Sequence, residues 1–216
     1  MPNWCKICRK EGFEMKVVFA SKNKKKALEL QRMAKEKIEL IVLSDIKEAE
    51  NIPQAEENGD TFLENAKLKA KYWADKLNMI ALAEDSGIEI DALNGAPGVY
   101  TKRCIEQYCK GENVNEDKPS ELYPKILEAM KKSGNESKVA HWISSMVLAY
   151  PNNEKTIEAI NSIDGEMCEC RGAREFGFDQ YFRPNNCNKT LAEMEPEEKD
   201  KIGPRLKTFE KILEQI

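Results

Sequence analysis

The segment TFLENAKLKAKYWADKL, residues 61–77, constrains this chain most, because its pattern admits little besides an amphipathic helix. Thr61 and Glu64 have the spacing of a capping box, in which two side chains satisfy the open N–H groups of a helix start. Phe62, Ala66, Ala70, Trp73 and Leu77 then form one apolar stripe at helical spacing. MIALA from Met79 follows almost at once, a continuous apolar run of the kind a strand shows when both faces are covered. Upstream, KVVFA from Lys16 reads as a strand, SKN as a polar turn, and KKKALELQRMAKE as a helix with Ala27, Leu30 and Ala34 on one side. IELIVLSDI from Ile38 has strand composition, and residues 47–60, with Pro53 and Gly59, read as a loop. Alternating strands and helices place the chain in the α/β class.

Beyond MIALA, the residues EDSG are expected to end the strand, and IEIDAL from Ile88 to begin another, partly exposed one. A helix is expected around 122–130, then two long, paired strands from Val139 and Lys155. The last third reads as a loop over 175–188, a short acidic segment MEPEEKDK, and a closing helix through 206–213. At 216 residues the chain suits one sizeable domain or two lobes sharing a core. With 33% charged residues and no apolar run near the ~20 needed to span a bilayer, a membrane protein is excluded. A net charge of -4 with interspersed signs gives no field for binding a nucleic acid polymer. Seven cysteines, an odd number in a chain too long to need disulfide staples, favour a reducing, cytoplasmic setting. Cys5 and Cys8 have the spacing of half a zinc knuckle without a second pair, so residues 1–15 read as a flexible extension.

Three groups of residues could carry chemistry. SKNKKK, between a strand and a helix, offers backbone N–H groups, the positive end of a helix dipole and Lys22, Lys24, Lys25 and Lys26 to an anion. It lacks the glycines of a P-loop, and taken alone it reads as a solvated helix start. Glu56, Glu57, Glu84 and Asp85 are hard oxygen donors from two segments, the type that holds Mg²⁺ beside substrate phosphates. Alone, each pair reads as surface charge. Lys69, Lys199 and Arg205 are candidate contacts to phosphate or base. The single histidine, His141, falls in an apolar strand and reads as packed; Trp73 and Trp142 read as core. No nucleophile elbow surrounds His141, which argues against a Ser-His or Cys-His hydrolase.

In order and spacing, FASKNKKK, EENGDTFLENAKLKA, AEDSGIEIDALNGAPGVYTKR, FGFD and KTLAEMEPEEK with Arg205 resemble the Ham1 family of inosine/xanthosine triphosphate pyrophosphatases. The resemblance covers residues 16–216 and leaves out 1–15. It implies an elongated, two-lobed α/β fold around a long mixed sheet with flanking helices, an active cleft between the lobes, and a homodimer. It also implies Mg²⁺-dependent hydrolysis, with Mn²⁺ as a possible substitute, of a nucleoside triphosphate to monophosphate and pyrophosphate. By the same resemblance Ser21, Asn23 and Lys26 cradle phosphate, Lys69 makes a second phosphate contact, and Glu57 and Asp85 hold the metal. Asp85 is also expected to activate water, with Glu57 and Lys26 completing the catalytic set. Ser86 touches substrate, Phe176 stacks on the base, Asp179 contacts the base region, and Lys199 and Arg205 close the site.

The chain departs from that pattern where Gly203-Pro204-Arg205 replaces Ser-His-Arg, GARE replaces a glycine pair, and FGFDQYF replaces FGYDPIF. Proline supplies neither a side-chain hydrogen bond nor a backbone N–H. The expectation is therefore a pyrophosphatase acting on ITP, dITP and XTP with broadened or shifted base preference. A catalytically silent nucleotide-binding protein on the same fold, or a Maf-like nucleotide pyrophosphatase, is the alternative.

Overall fold

A computed structural model describes residues 15–34, 37–101, 119–173 and 177–216. The Cys5/Cys8 pair, residues 1–14 and Phe176 lie outside the described residues.

The strands are β1 (Met15–Phe19), β2 (Ile38–Val42), β3 (Ala81–Ile90), β4 (Val139–Ala149), β5 (Thr156–Met167) and β6 (Phe182–Pro184). The helices are α1 (Lys24–Ala34), α2 (Phe62–Leu77), α3 (Pro119–Lys132), α4 (Pro196–Ile202) and α5 (Pro204–Leu213). All six strands form one sheet in the order β2-β1-β3-β4-β5-β6. It is mixed: β1 runs parallel to β2 and β3, with Val18 opposite Ala81 and Phe19 opposite Leu82, whereas β5 and β6 are antiparallel. An α/β chain with helices flanking a mixed sheet is thus what forms.

The chain divides into two compact units, one of residues 1–85, 144–161 and 205–216, the other of 86–143 and 162–204. In the first, strand residues alternate between two cores. Val17, Phe19, Leu82, Met146 and Leu148 pack with Ala27, Leu30 and Ala34 of α1 and with Leu206, Phe209 and Ile212 of α5. Val18, Ala81, Ala83, Val147 and Ala149 pack instead with Ala66, Ala70, Trp73 and Ala74 of α2. Small residues of α2 and the strands, Ala66, Ala70, Ala74, Ala81, Ala83 and Ala149, make up much of that second layer, with Trp73 a large buried member. Continuous apolar strands were therefore a sound sign of coverage on both faces. The second unit has its own core, in which Ile88 and Ile90 meet Leu122, Tyr123 and Ile126 of α3 together with Phe178, Tyr181 and Phe182.

One sequence expectation is corrected. EDSG does not end a strand: β3 passes unbroken through Glu84, Asp85, Ser86 and Gly87 into IEI. Glu84, Gly87 and Ile88 are buried along it, and hydrogen-bonded sheet outcompetes the turn tendency of Asp-Ser-Gly. The acidic pair accordingly lies mid-strand. Within the acidic segment MEPEEKDK, α4 starts at Pro196, a first-turn position where its missing N–H costs nothing.

Candidate active site

In the first unit, α2 and β3 bring most of the expected residues together. The capping box of α2 forms: Glu64 N–H donates to Thr61 Oγ1 at 3.1 Å, and Glu64 Oε2 accepts from the Thr61 and Asp60 N–H groups at 3.1 and 2.9 Å. This fastens the preceding loop to the helix start. Glu57, on that loop, meets Lys69 of α2 at 3.1 Å, and Lys69 also donates to the Glu84 carbonyl at 3.3 Å. Lys69 thereby spans from the loop to β3. Burial pushes the Asp85 carboxyl above its usual range, Lys69 opposes the shift, and the nearby Glu57 charge adds to it. Glu57 and Asp85 are therefore close enough to feel each other. Glu56 is exposed.

Glu84 has a different role from its neighbour. Its side chain is buried and accepts from Arg205 Nε at 2.9 Å and from Ser144 Oγ at 3.0 Å, while Lys26 Nζ lies 3.1 Å from its other oxygen. Burial alone would raise its pKa, but Arg205 and Lys26 bring it down to about 2. It serves as counter-ion to two cations. Arg205, second residue of α5, is itself buried and pairs also with Glu29 of α1. Burial would lower its pKa, and the two carboxylates more than offset that, so the guanidinium stays charged. Burial pulls Lys26 below the usual lysine range, with Glu84 opposing.

The turn before α1 is built by its own side chains. Ser21 Oγ accepts from Asn23 N–H at 3.1 Å, and Asn23 Oδ1 accepts from Lys26 N–H at 3.2 Å, making Asn23 the helix N-cap. Lys22 is exposed, Lys24 pairs with Asp45 at 3.1 Å, and Lys26 turns toward the acidic strand.

In the second unit, Asp179 is 2% exposed and accepts from Lys199 Nζ at 2.6 Å. That ammonium lies 5.5 Å from the Trp142 ring centre, a cation–π distance. Lys199 belongs to the second unit, and Lys69 and Arg205 to the first. Trp142 is partly buried rather than core, edge-on to Phe182. Ser86 follows Asp85 on β3 and is partly buried. His141 also departs from its expected packing: it is half-exposed, 2.8 Å from Asp164 and 3.3 Å from Asp91. A strand that alternates faces left it on the outer side, where two carboxylates raise its pKa despite partial burial, Asp164 through the leading hydrogen bond.

Three residues of the network were not anticipated. Glu29 and Ser144 belong to it through Arg205 and Glu84. Asn65, on the apolar side of α2, accepts from Gly59 N–H at 2.8 Å. A polar residue set inside an apolar helical stripe was the available signal for Asn65; nothing local marks the other two.

No three or more His, Cys, Asp or Glu side chains among the described residues form a group able to hold a metal alone. Two converging carboxylates nonetheless suit Mg²⁺, which retains waters and takes substrate oxygens as further ligands.

Residues 17–215 match the model of the Ham1 family. The chain belongs to the Ham1 family. Among its relatives, a dITP/XTP pyrophosphatase of Flavobacterium johnsoniae is 37% identical over 94% of this chain and 98% of its own. One of Christiangramia forsetii is 36% identical over 94% of this chain and 99% of its own. Of solved structures, a HAM1 protein from Coxiella burnetii superposes with a TM-score of 0.78 at 31% identity, covering 94% of this chain and 100% of that one. The Staphylococcus aureus Ham1 protein gives 0.70 at 27%, covering 93% and 96%. In this Ham1 chain, Gly203 ends α4 and Pro204 opens α5, so the departure from Ser-His-Arg falls at a helix-to-helix junction.

Proposed function

We propose that this chain is a nucleoside triphosphate pyrophosphatase that cleaves a deaminated purine nucleotide, of the ITP, dITP or XTP kind, into monophosphate and pyrophosphate. The observation that carries the reading is the convergence of Glu57, Asp85, Lys69 and Lys26 from three separate stretches of chain. The activity named for the Flavobacterium and Christiangramia relatives supports it.

A triphosphate brings about four negative charges. Lys26 and Lys69 supply fixed positive charge for it, and the Ser21–Asn23 turn supplies a helix N-terminus to its phosphates. Glu57 and Asp85 would hold the divalent ion, which when bound neutralises phosphate charge and lowers the pKa of water. Asp85, its carboxyl made more basic by burial, accepts the proton of the attacking water. Glu84 stays out of the chemistry and keeps Lys26 and Arg205 charged and in place. The roles the family pattern implies for Ser86, Phe176, Asp179 and Lys199 toward base and sugar, and for Arg205 toward the phosphates, belong to the same proposal. With Pro204 where relatives of this pattern carry histidine, one hydrogen bond to the base edge is lost, and discrimination loosens because fewer wrong bases leave buried polar groups unpaired. The cytoplasm as its place, and a homodimer as its working form, belong to the same proposal.

The test is pyrophosphate release by the purified chain from ITP, XTP, dITP, GTP, ATP, UTP and dUTP, with Mg²⁺, with Mn²⁺ and with a chelator. Turnover that disappears on chelation and spreads beyond ITP and XTP is expected. Strict selectivity for ITP and XTP would defeat the altered recognition, and nucleotide binding without turnover would defeat the enzyme.

A further inference from the structure

Gln180 follows Asp179 and is 6% exposed, a buried polar side chain with no part in the chemistry above. It stands where the FGYDPIF pattern carries proline, so its amide is a departure from that pattern. Its Nε2 donates to the Gly172 carbonyl at 2.8 Å, and its own carbonyl accepts from Arg171 N–H at 2.9 Å. Gln180 thereby holds Arg171 and Gly172 beside Asp179. Proline has no donor for the first of these bonds. Gly172 suits the contact: its φ of +89° favours glycine, and a Cβ there would lie 2.6 Å from the Ala192 carbonyl carbon. The 190–192 turn ties down the same residues, since Thr190 Oγ1 donates to the Arg171 carbonyl at 3.0 Å and Ala192 N–H to the Asp179 carbonyl at 3.0 Å. Gln180 Oε1, by contrast, is buried and takes no hydrogen bond among the described residues. An apolar side chain of similar length would escape that cost, so packing alone does not explain a glutamine here. All these residues, with Lys199 bound to the Asp179 carboxylate at 2.6 Å, belong to the second unit.

We propose that Gln180 is a positioning residue for base recognition: the bond from its side-chain amide to the Gly172 carbonyl fixes the backbone at Asp179, and with it the Asp179–Lys199 pair that meets the base. This rests on the reading of Asp179 and Lys199 as contacts to the base region. A side-chain bond replaces the rigidity that proline gives the same position in the pattern, since proline fixes φ by its ring and glutamine can hold the backbone only through a partner. Loss of the bond lets the dipeptide move, and the contacts that depend on its placing weaken while the phosphate and metal residues of the first unit keep theirs.

The experiment compares wild type, Gln180→Met and Gln180→Leu with Mg²⁺ present. Methionine and leucine both fill the space without a donor, and circular dichroism establishes that each variant is folded. Calorimetry gives Kd for α,β-methylene ITP, whose carbon bridge resists cleavage, and for inorganic tripolyphosphate, which has no base; steady-state kinetics on ITP gives kcat and KM. Both variants are expected to bind the nucleotide analogue ~10-fold more weakly and tripolyphosphate within ~2-fold of wild type, with KM raised in step and kcat within ~3-fold. If Gln180→Met does not fold, Gln180→Leu carries the same expectation; if neither folds, Gln180 serves stability and the proposal falls. Folded variants with unchanged affinity for the analogue, or with both probes weakened alike, or with only kcat lowered, overturn the positioning role. A wild type that binds the analogue without releasing pyrophosphate from ITP defeats the pyrophosphatase reading alone, and the two Kd values still decide on Gln180. A wild type that binds neither probe overturns both.

Discussion

Glu84 and Asp85 are adjacent carboxylates whose environments drive their proton affinities apart. Glu84, between Arg205 and Lys26, is held down to about 2, and Asp85 is raised by burial. Two experiments separate their roles. On the proposed reading, Asp85→Asn removes the proton acceptor and should cut pyrophosphate release by several orders of magnitude, while circular dichroism shows the variant still folded. Glu84→Gln should act on the fold: leaving two buried cations without their counter-ion costs about 3–5 kcal/mol in urea unfolding. The pH dependence has a definite sign. Glu84's pKa is lower in the folded protein than its usual 4.5, so its stabilisation is whole above about pH 5 and is lost as pH falls toward 2. Acid unfolding of Glu84→Gln should therefore be shallower than that of wild type across this range.

Among the elements, α2 does most to build the site, and each of its features has a separate cost. Thr61→Ala removes half of the capping box, which should cost about 1 kcal/mol and loosen the Glu57 loop. Ala70→Leu on the face packed against the sheet should cost about 1–3 kcal/mol by overpacking, since that layer is built of small residues. Guanidinium unfolding of the two variants checks both figures. In β4, His141 gives a spectroscopic reporter that no other residue can obscure, because the chain has one histidine. Its pKa lies above the usual 6.5 through Asp164 foremost, with burial opposing and Asp91 assisting. The contribution to stability is thus complete below about 6.5 and fades as pH rises through the folded value; at this exposure it is at most about 1 kcal/mol. Proton NMR titration should show the raised value, and Asp164→Asn should return it most of the way.

Across the whole molecule, the charge network depends on residues far apart in the chain. Arg205 reaches Glu84 across 121 positions and Glu29 across 176. A chain ending at Pro204 loses that guanidinium together with Leu206, Phe209 and Ile212 of the core, and should fail to give cooperative unfolding by circular dichroism. Much was legible without coordinates. The α2 cap and stripe, the two-sided strands and the α/β class are written in short-range periodicity, which depends only on which face of a helix or strand a residue occupies. The EENGDTFLENAKLKA and EDSG blocks marked Glu57, Lys69 and Asp85 as residue types suited to a metal and a phosphate. Periodicity could not say that EDSG stays in a strand, since sheet hydrogen bonds formed with distant neighbours override a local turn tendency. Nor could it say that Glu84 faces Arg205 while Asp85 next to it faces Lys69, although alternation along a strand guarantees that adjacent side chains point to opposite sides. Which partners wait on each side, and which acids are thereby kept charged or made basic, is a property of long-range packing. The local pattern determined the elements and the kinds of group they carry; the tertiary structure alone assigned each group its neighbour, because pairing energies and burial act between segments that the chain order leaves far apart.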